Sequence, residues 1–170
     1  SASEPRVKDL LKADPTHAPA LMALGQIHQR RGENTAAADA YENVLGRFPK
    51  LAQAQRNLAI VYAQMPGKEA RAFELATSAR AALRNDPTLA RTLGRLSYAR
   101  KDYRYATTLL EEGLRSGAPD AASLFALGMS HHQLKDSTAA AAALQKAMAA
   151  GLTEPSLAEA RRVLAELQKR

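Results

Sequence analysis

The chain has 170 residues, of which 46% are hydrophobic but only 5% aromatic, and its formal net charge is +7. It contains no cysteine, so disulfide bonds and thiolate metal sites are excluded. No apolar run approaches the roughly 18 residues of a membrane span, and the basic balance favours anionic partners. Much of the apolar content is alanine, a strong helix former, and β-branched residues are too scattered for strands. The composition therefore predicts an all-α protein.

The N-terminal segment, residues 5–13, predicts one short helix. It ends at Asp14-Pro15, because proline cannot continue a helix. We expect residues 1–17 to be the tail of a preceding partial repeat, so that the chain is a piece of a longer array. The apolar side of this helix carries Val7, Leu10 and Leu11.

Residues 18–51 predict the first complete pair of helices. Pro19 suits the first turn of a helix, and Arg31-Gly32 marks its end. Asn34 is expected to cap the second helix with its side chain, and Pro49 ends that helix. The short connection predicts that the two helices are antiparallel.

Residues 52–86 predict a second, irregular pair. Pro66-Gly67 stops its first helix, so residues 64–68 are expected to connect the two helices. The second helix is expected to run from about residue 68 to residue 84 and to contain four extra residues. Four residues are about one helical turn, so its inward face keeps the phase of the other pairs.

Residues 87–120 and 121–154 predict two regular pairs with a 34-residue period. We expect two aspartates to cap the second helices and two glycines to mark their exits. The recurring residues are Leu93-Gly94 with Leu127-Gly128, Lys101-Asp102 with Lys135-Asp136, and Gly117 with Gly151.

Residues 155–170 predict one last, amphipathic helix after the fourth pair. A helix of this kind closes the exposed end of a repeat array, so we assign it as a C-terminal capping helix. Its apolar face consists of Leu157, Ala160, Val163, Leu164 and Leu167.

The repeated pattern is a Leu-Gly pair, a small residue twelve positions later and a large one four positions after that. In the first pair it reads Leu24-Gly25, Ala37 and Tyr41. This pattern resembles the tetratricopeptide repeat over nearly the whole chain. The resemblance implies a right-handed superhelical array, an α-solenoid, with small residues where paired helices cross. These helix-crossing positions are Gly25, Ala37, Ala59, Gly94, Ala106, Gly128 and Ala140.

Tetratricopeptide proteins present their first helices on a concave face that receives an extended peptide or a partner helix, as the resemblance implies. Here the projected groove is rich in arginine and holds no carboxylate, which predicts an acidic or carboxylate-bearing segment as ligand. Arg91 and Arg95 are expected to lie off the packing face. The predicted ligand-binding residues are Met22, Gln26, Arg30, Arg56, Asn57, Ile60, Arg91, Arg95, Tyr98, Phe125, Met129 and His132.

The predicted function is a non-catalytic scaffold for a protein or peptide partner, without cofactor or metal. Some relatives clamp a terminal carboxylate, but only Asn57 matches that clamp here, which disfavours binding of chaperone tails. His131 and His132 are adjacent and point about 100° apart, so they do not share a metal. A self-assembling scaffold or homo-oligomer, and a helical repeat that binds nucleic acid, stay open as alternatives.

The stretch from Leu93 to the C-terminus also resembles bacterial envelope and polysaccharide-export tetratricopeptide proteins. The bias towards arginine and alanine fits a GC-rich bacterial genome. Bacterial cytoplasm and periplasm are both open as compartments, and the resemblance favours the periplasm.

Overall fold

The computed structural model describes residues 4–116 and 119–168. This part of the chain contains ten α-helices and no strand, which confirms the all-α prediction. The helices are α1 (Glu4–Ala13), α2 (Ala18–Arg30), α3 (Asn34–Arg47), α4 (Ala52–Tyr62), α5 (Glu69–Arg80), α6 (Pro87–Ala99), α7 (Tyr103–Leu114), α8 (Ala121–Gln133), α9 (Ser137–Ala149) and α10 (Ser156–Leu167).

The chain divides into two compact units, Ser1–Arg84 and Asn85–Arg170. The N-terminal unit holds α1 and the pairs α2–α3 and α4–α5, in which consecutive helices pack on each other. The C-terminal unit holds the pairs α6–α7 and α8–α9, and α10 packs on α8 and α9. A leading helix, four pairs and a closing helix are the predicted order of elements.

The turn inside each pair has one residue in the left-handed backbone conformation. The φ angle is 74° at Gly32, 79° at Gly67, 64° at Lys101 and 66° at Lys135. Glycine adopts this conformation without steric cost, whereas other L-residues lose roughly 1–2 kcal/mol there. The third and fourth pairs therefore contain a strained turn that the first two pairs avoid.

Replacing either of these lysines by glycine should stabilise the C-terminal unit. We expect Lys101→Gly and Lys135→Gly each to raise the free energy of unfolding by about 1 kcal/mol, measured by urea denaturation. As a control, Lys146→Gly within α9 should lower it by about 1 kcal/mol, because glycine weakens a helix interior. A loss in all three variants would show that the turns are unstrained.

In the C-terminal unit, aspartate side chains cap the N-termini of α6, α7, α8 and α9. Each carboxylate accepts a hydrogen bond from the backbone N–H three residues ahead, at 2.8 to 3.2 Å. This confirms the predicted caps at Asp102 and Asp136 and adds caps at Asp86 and Asp120. Gly151, with a φ of 87°, marks the exit of α9 as predicted, whereas Gly117 lies outside the described residues.

The predicted cap at Asn34 is wrong. Asn34 is the first residue of α3, and Glu33 takes the capping position without a side-chain hydrogen bond to the helix. The carboxylate of Glu33 instead forms a hydrogen bond with Nδ1 of His28. Pairing across the turn therefore replaces side-chain capping in this pair.

The second helix of the irregular pair is shorter than predicted. It ends at Arg80, because the next two N–H groups donate to backbone oxygens only three residues back. Ala81 donates to Ser78 at 3.4 Å, and Ala82 donates to Ala79 at 3.2 Å. The connection before it spans residues 63–68 and includes the predicted 64–68.

The two terminal helices bury narrower faces than their apolar patterns predict. In α1, Val7 is buried, whereas Leu10 is 42% exposed. In α10, Ala160 and Val163 are fully buried and belong to one hydrophobic cluster with residues of α8 and α9. The other predicted apolar residues of α10, Leu157, Leu164 and Leu167, are only partly buried against that cluster.

Candidate functional site

Three glycines lie where the paired helices come closest. A Cβ added at Gly25 would lie 2.5 Å from Cε1 of Tyr41. At Gly94 and Gly128 it would lie 2.7 Å from Cγ of Leu110 and Leu144, respectively. These glycines allow the close approach of the helices in the first, third and fourth pairs, and they offer no side chain to a ligand. The alanines at the other crossing positions have no exposed surface; they are Ala37, Ala59, Ala106 and Ala140.

Sequence reasoning missed a fourth tight glycine, Gly113 in α7. A Cβ there would lie 2.8 Å from the backbone oxygen of Pro87 and 2.6 Å from Cγ of Arg91. The available signal was the small residue Ala147 at the same position of the next repeat, which is also fully buried. The start of α6 therefore packs directly on the end of α7.

In the N-terminal unit, polar and cationic side chains gather around the buried hydroxyl of Tyr41. This hydroxyl donates a hydrogen bond to Oε1 of Gln29 at 3.1 Å. Burial raises the pKa of Tyr41 to about 12. A hydrogen bond with the side chain of Asn57 and the positive charges of Arg56 and Arg30 lower this pKa in part.

The other predicted residues of this unit differ in exposure. Asn57 is buried, and its Oδ1 accepts a hydrogen bond from Arg56 at 2.9 Å. Met22 and Ile60 are partly buried, whereas Gln26 and Arg30 are exposed. Gln26 and Arg30 are therefore the predicted polar residues that this unit exposes most fully.

In the C-terminal unit, Arg91 is held by its own chain. Its Nη1 donates to the backbone oxygen of Gly113 at 3.2 Å, and its Nε lies 3.4 Å from Oδ2 of Asp120. The side chain thus joins α6 to the end of α7 and the start of α8. The expectation that Arg91 lies off the packing face is wrong, because both partners come from helices beyond its own.

The apolar residues predicted for the groove of this unit are largely covered. Phe125 is 8% exposed and Met129 is 4% exposed, and both belong to the cluster that contains residues of α10. The ring of Tyr98 packs edge-on against Phe125 at 6.4 Å between centroids. Arg95 and His132 are partly buried, and Arg95 has no ion-pair or hydrogen-bond partner among the described residues.

The four first helices share one electrostatic property. Helices α2, α4, α6 and α8, all within the described part of the chain, contain no aspartate or glutamate. They contain four arginines, namely Arg30, Arg56, Arg91 and Arg95. Of the second helices, α3, α5 and α7 carry carboxylates, whereas α9 has none. Acidic residues are thus absent from the helices that were predicted to bind the ligand.

His131, the first residue of the histidine pair, lies close to two carboxylates. Nε2 of His131 lies 3.5 Å from Oε1 of Glu111, and its Nδ1 lies 3.8 Å from Oδ2 of Asp136. The two ring nitrogens thus face different carboxylates. No group of three or more potential metal ligands occurs in residues 4–116 and 119–168. No helix of the described chain is both long and apolar enough to cross a membrane.

Comparison with known proteins identifies the repeat. The sequence profile described as tetratricopeptide repeat matches residues 1–49, 22–90 and 91–155. No curated protein matches the sequence.

Solved structures share the fold at low sequence identity. A crystal structure of MamA has a TM-score of 0.67 at 17% identity, covering 89% of this chain and 81% of that one. PilW, described as a widely conserved type IV pilus biogenesis factor, has a TM-score of 0.69 at 17% identity, covering 97% and 81%. A tetratricopeptide repeat protein from Parabacteroides merdae has a TM-score of 0.57 at 18% identity, covering 98% and 63%. These similarities concern the fold alone.

Proposed function

This chain belongs to the tetratricopeptide repeat family of non-catalytic protein-interaction scaffolds, and we propose that its first helices bind an acidic or carboxylate-bearing segment. The segment is an extended peptide or a partner helix. The supporting observation is the absence of carboxylates from α2, α4, α6 and α8, together with the four arginines that α2, α4 and α6 carry.

The arginines contribute unequally to this proposal. An exposed ion pair is worth only about 0.2–1 kcal/mol, so several charges must act together. Arg91 is held by Gly113 and Asp120, and its main role is structural. Arg30 and Arg95 are the residues best placed to form charge-assisted hydrogen bonds with a ligand.

Charge reversal tests the proposal. The double variant Arg30→Glu/Arg95→Glu should weaken binding of a labelled acidic peptide at least about tenfold, since two attractions become repulsions. The control variant Arg104→Glu/Arg161→Glu changes the net charge equally at exposed positions on α7 and α10 and should change affinity less than about twofold. Fluorescence anisotropy measures both, and circular dichroism verifies the helical content.

Other outcomes of this experiment would contradict the proposal. Equal losses in the two double variants would mean that only total charge matters, which favours nucleic-acid binding. Unchanged affinity in both would place the ligand elsewhere on the array.

The resemblance to bacterial envelope proteins supports the periplasm as the proposed compartment. Fractionation of the source cells tests this: the protein should be released with the periplasmic fraction. Recovery with a cytoplasmic marker enzyme would contradict the assignment.

A further inference from the structure

A second candidate binding surface lies in the C-terminal unit, among α7, α8 and α9. We call it the α9 recess. It is a cavity of about 690 Å³ lined chiefly by apolar side chains, within the roughly 300–1,000 Å³ range of ligand pockets. Leu114 comes from the end of α7, and Leu124 and Leu127 come from α8. The contribution of α9 and of Ala150, which directly follows it, consists mainly of small side chains; those of α9 are Ala139, Ala142, Ala143 and Ala149.

The corresponding place in the N-terminal unit is smaller and polar. There, a cavity of about 290 Å³ is lined by Leu45 together with Gln55, Arg71 and Glu74. Gln55 donates a hydrogen bond to the backbone oxygen of Pro49 at 2.8 Å, and Arg71 pairs with Glu74 at 2.7 Å. The same site of the repeat is thus small and partly lined by paired polar groups in one unit, and larger and chiefly apolar in the other.

Charges at the α9 recess differ between its two sides. Lys146 of α9 lines the recess, is exposed, and has no ion-pair partner among the residues that the structure describes. His131 also lines it, and its Nε2 faces Glu111 of α7. The α9 side therefore presents an unpaired cation, whereas the carboxylate on the α7 side already faces a histidine.

We propose that the α9 recess docks an amphipathic helix of a partner protein, with a carboxylate that pairs with Lys146. Bulky apolar side chains of this helix would fill the space above Leu124 and Leu127. The small residues of α9 let another helix approach to the usual packing distance of about 8–10 Å. None of the predicted ligand-binding residues of the first helices lines this recess, so its occupation does not depend on the function proposed above.

Selection from a displayed library of helical peptides tests the docking site. The library is selected on the wild-type chain and depleted on the Ala142→Arg variant, in which a long cation fills the recess from an exposed position of α9. The retained peptides should carry leucine, phenylalanine or methionine at helical spacing and an acidic residue beside this face. Binding should fall more than about tenfold in Ala142→Arg and be unchanged in Ala165→Arg, an exposed position on α10. Failure to enrich any peptide would overturn the proposal.

Charge exchange then tests the role of Lys146. Lys146→Glu should weaken a selected peptide about fivefold, and replacing the peptide's acidic residue by lysine should restore affinity for this variant. Arg30→Glu/Arg95→Glu should leave the same peptide bound, which separates this test from that of the first helices. Equal affinities for all combinations would overturn the assignment of Lys146.

Two other possible occupants of the α9 recess, a second copy of the chain and an acyl ligand, would give different experimental results. A concentration-dependent dimer in sedimentation velocity that Ala142→Arg dissolves, with no peptide enriched, would assign the recess to a second copy of the chain. Displacement of the selected peptide by a long-chain fatty acid would assign it to an acyl ligand. Either result would overturn the partner-helix proposal.

Discussion

Gly94→Leu and Gly128→Leu should each lower the free energy of unfolding by about 3 kcal/mol, at the upper end of ordinary overpacking. A Cβ at either position meets the Cγ of the facing leucine at 2.7 Å and its backbone nitrogen at 3.2 or 3.0 Å. Side chains can rotate away, but backbone atoms move only if the two helices separate. Helix separation would in turn disturb the packing of the neighbouring pair, because each repeat is stabilised by its neighbours.

Gly46→Leu provides a matched control for these substitutions. Gly46 lies within α3, and nothing is found within 4 Å of the Cβ that a side chain would add. Leucine there should raise stability by about 0.5–1 kcal/mol through helix propensity alone. Urea denaturation of the three variants measures the contrast. Similar midpoints in all three would show that Gly94 and Gly128 do not mark close crossings.

Deletion of residues 155–170 should destabilise the C-terminal unit and cause aggregation. Phe125 and Met129 would lose the cover of α10, as would Leu152 in the same cluster. Each large apolar side chain that becomes exposed costs about 1.5–3 kcal/mol. Light scattering and sedimentation velocity should therefore show oligomers at concentrations where the full chain is monodisperse.

A point variant in α10 distinguishes the loss of its packing from the removal of the whole segment. Val163 of α10 is fully buried, so Val163→Asp should lower stability by at least about 3 kcal/mol by burying a charge without a partner. Ala165→Asp, at an exposed position of the same helix, should have an effect below about 1 kcal/mol. A deletion variant that is monodisperse and as stable as the full chain would contradict the assignment of α10 as a cap.

The helix pairs could be predicted because they depend on local contacts within one repeat. Gly94 faces Leu110 and Gly128 faces Leu144, so one contact recurs with the 34-residue period and is visible in the sequence. The caps at Asp102 and Asp136 are equally local, since each carboxylate bonds an amide three residues ahead.

The burial and the bonding partners of the predicted ligand-binding residues could not be predicted, because they depend on residues far along the chain. Arg91 has the spacing of a groove residue, but Gly113 and Asp120 hold it. Phe125 and Met129 share one hydrophobic cluster with Ala160 and Val163 of α10, and the repeat pattern does not specify where α10 packs. Competition among neighbouring side chains also decides how a helix begins. Glu33 takes the capping position of α3, but its carboxylate pairs with His28 across the turn.

NMR mapping can show whether the first helices, which are free of carboxylates, receive the acidic segment. An acidic peptide is titrated into the ¹⁵N-labelled protein, and shifts of backbone amide signals are followed. We expect the largest shifts at Gln26, Arg30 and Arg95. The shifts should decrease at higher salt, because exposed charges are screened over about 10 Å at 0.1 M. Shifts concentrated on α3, α5, α7 and α9, with those three residues unchanged, would contradict it.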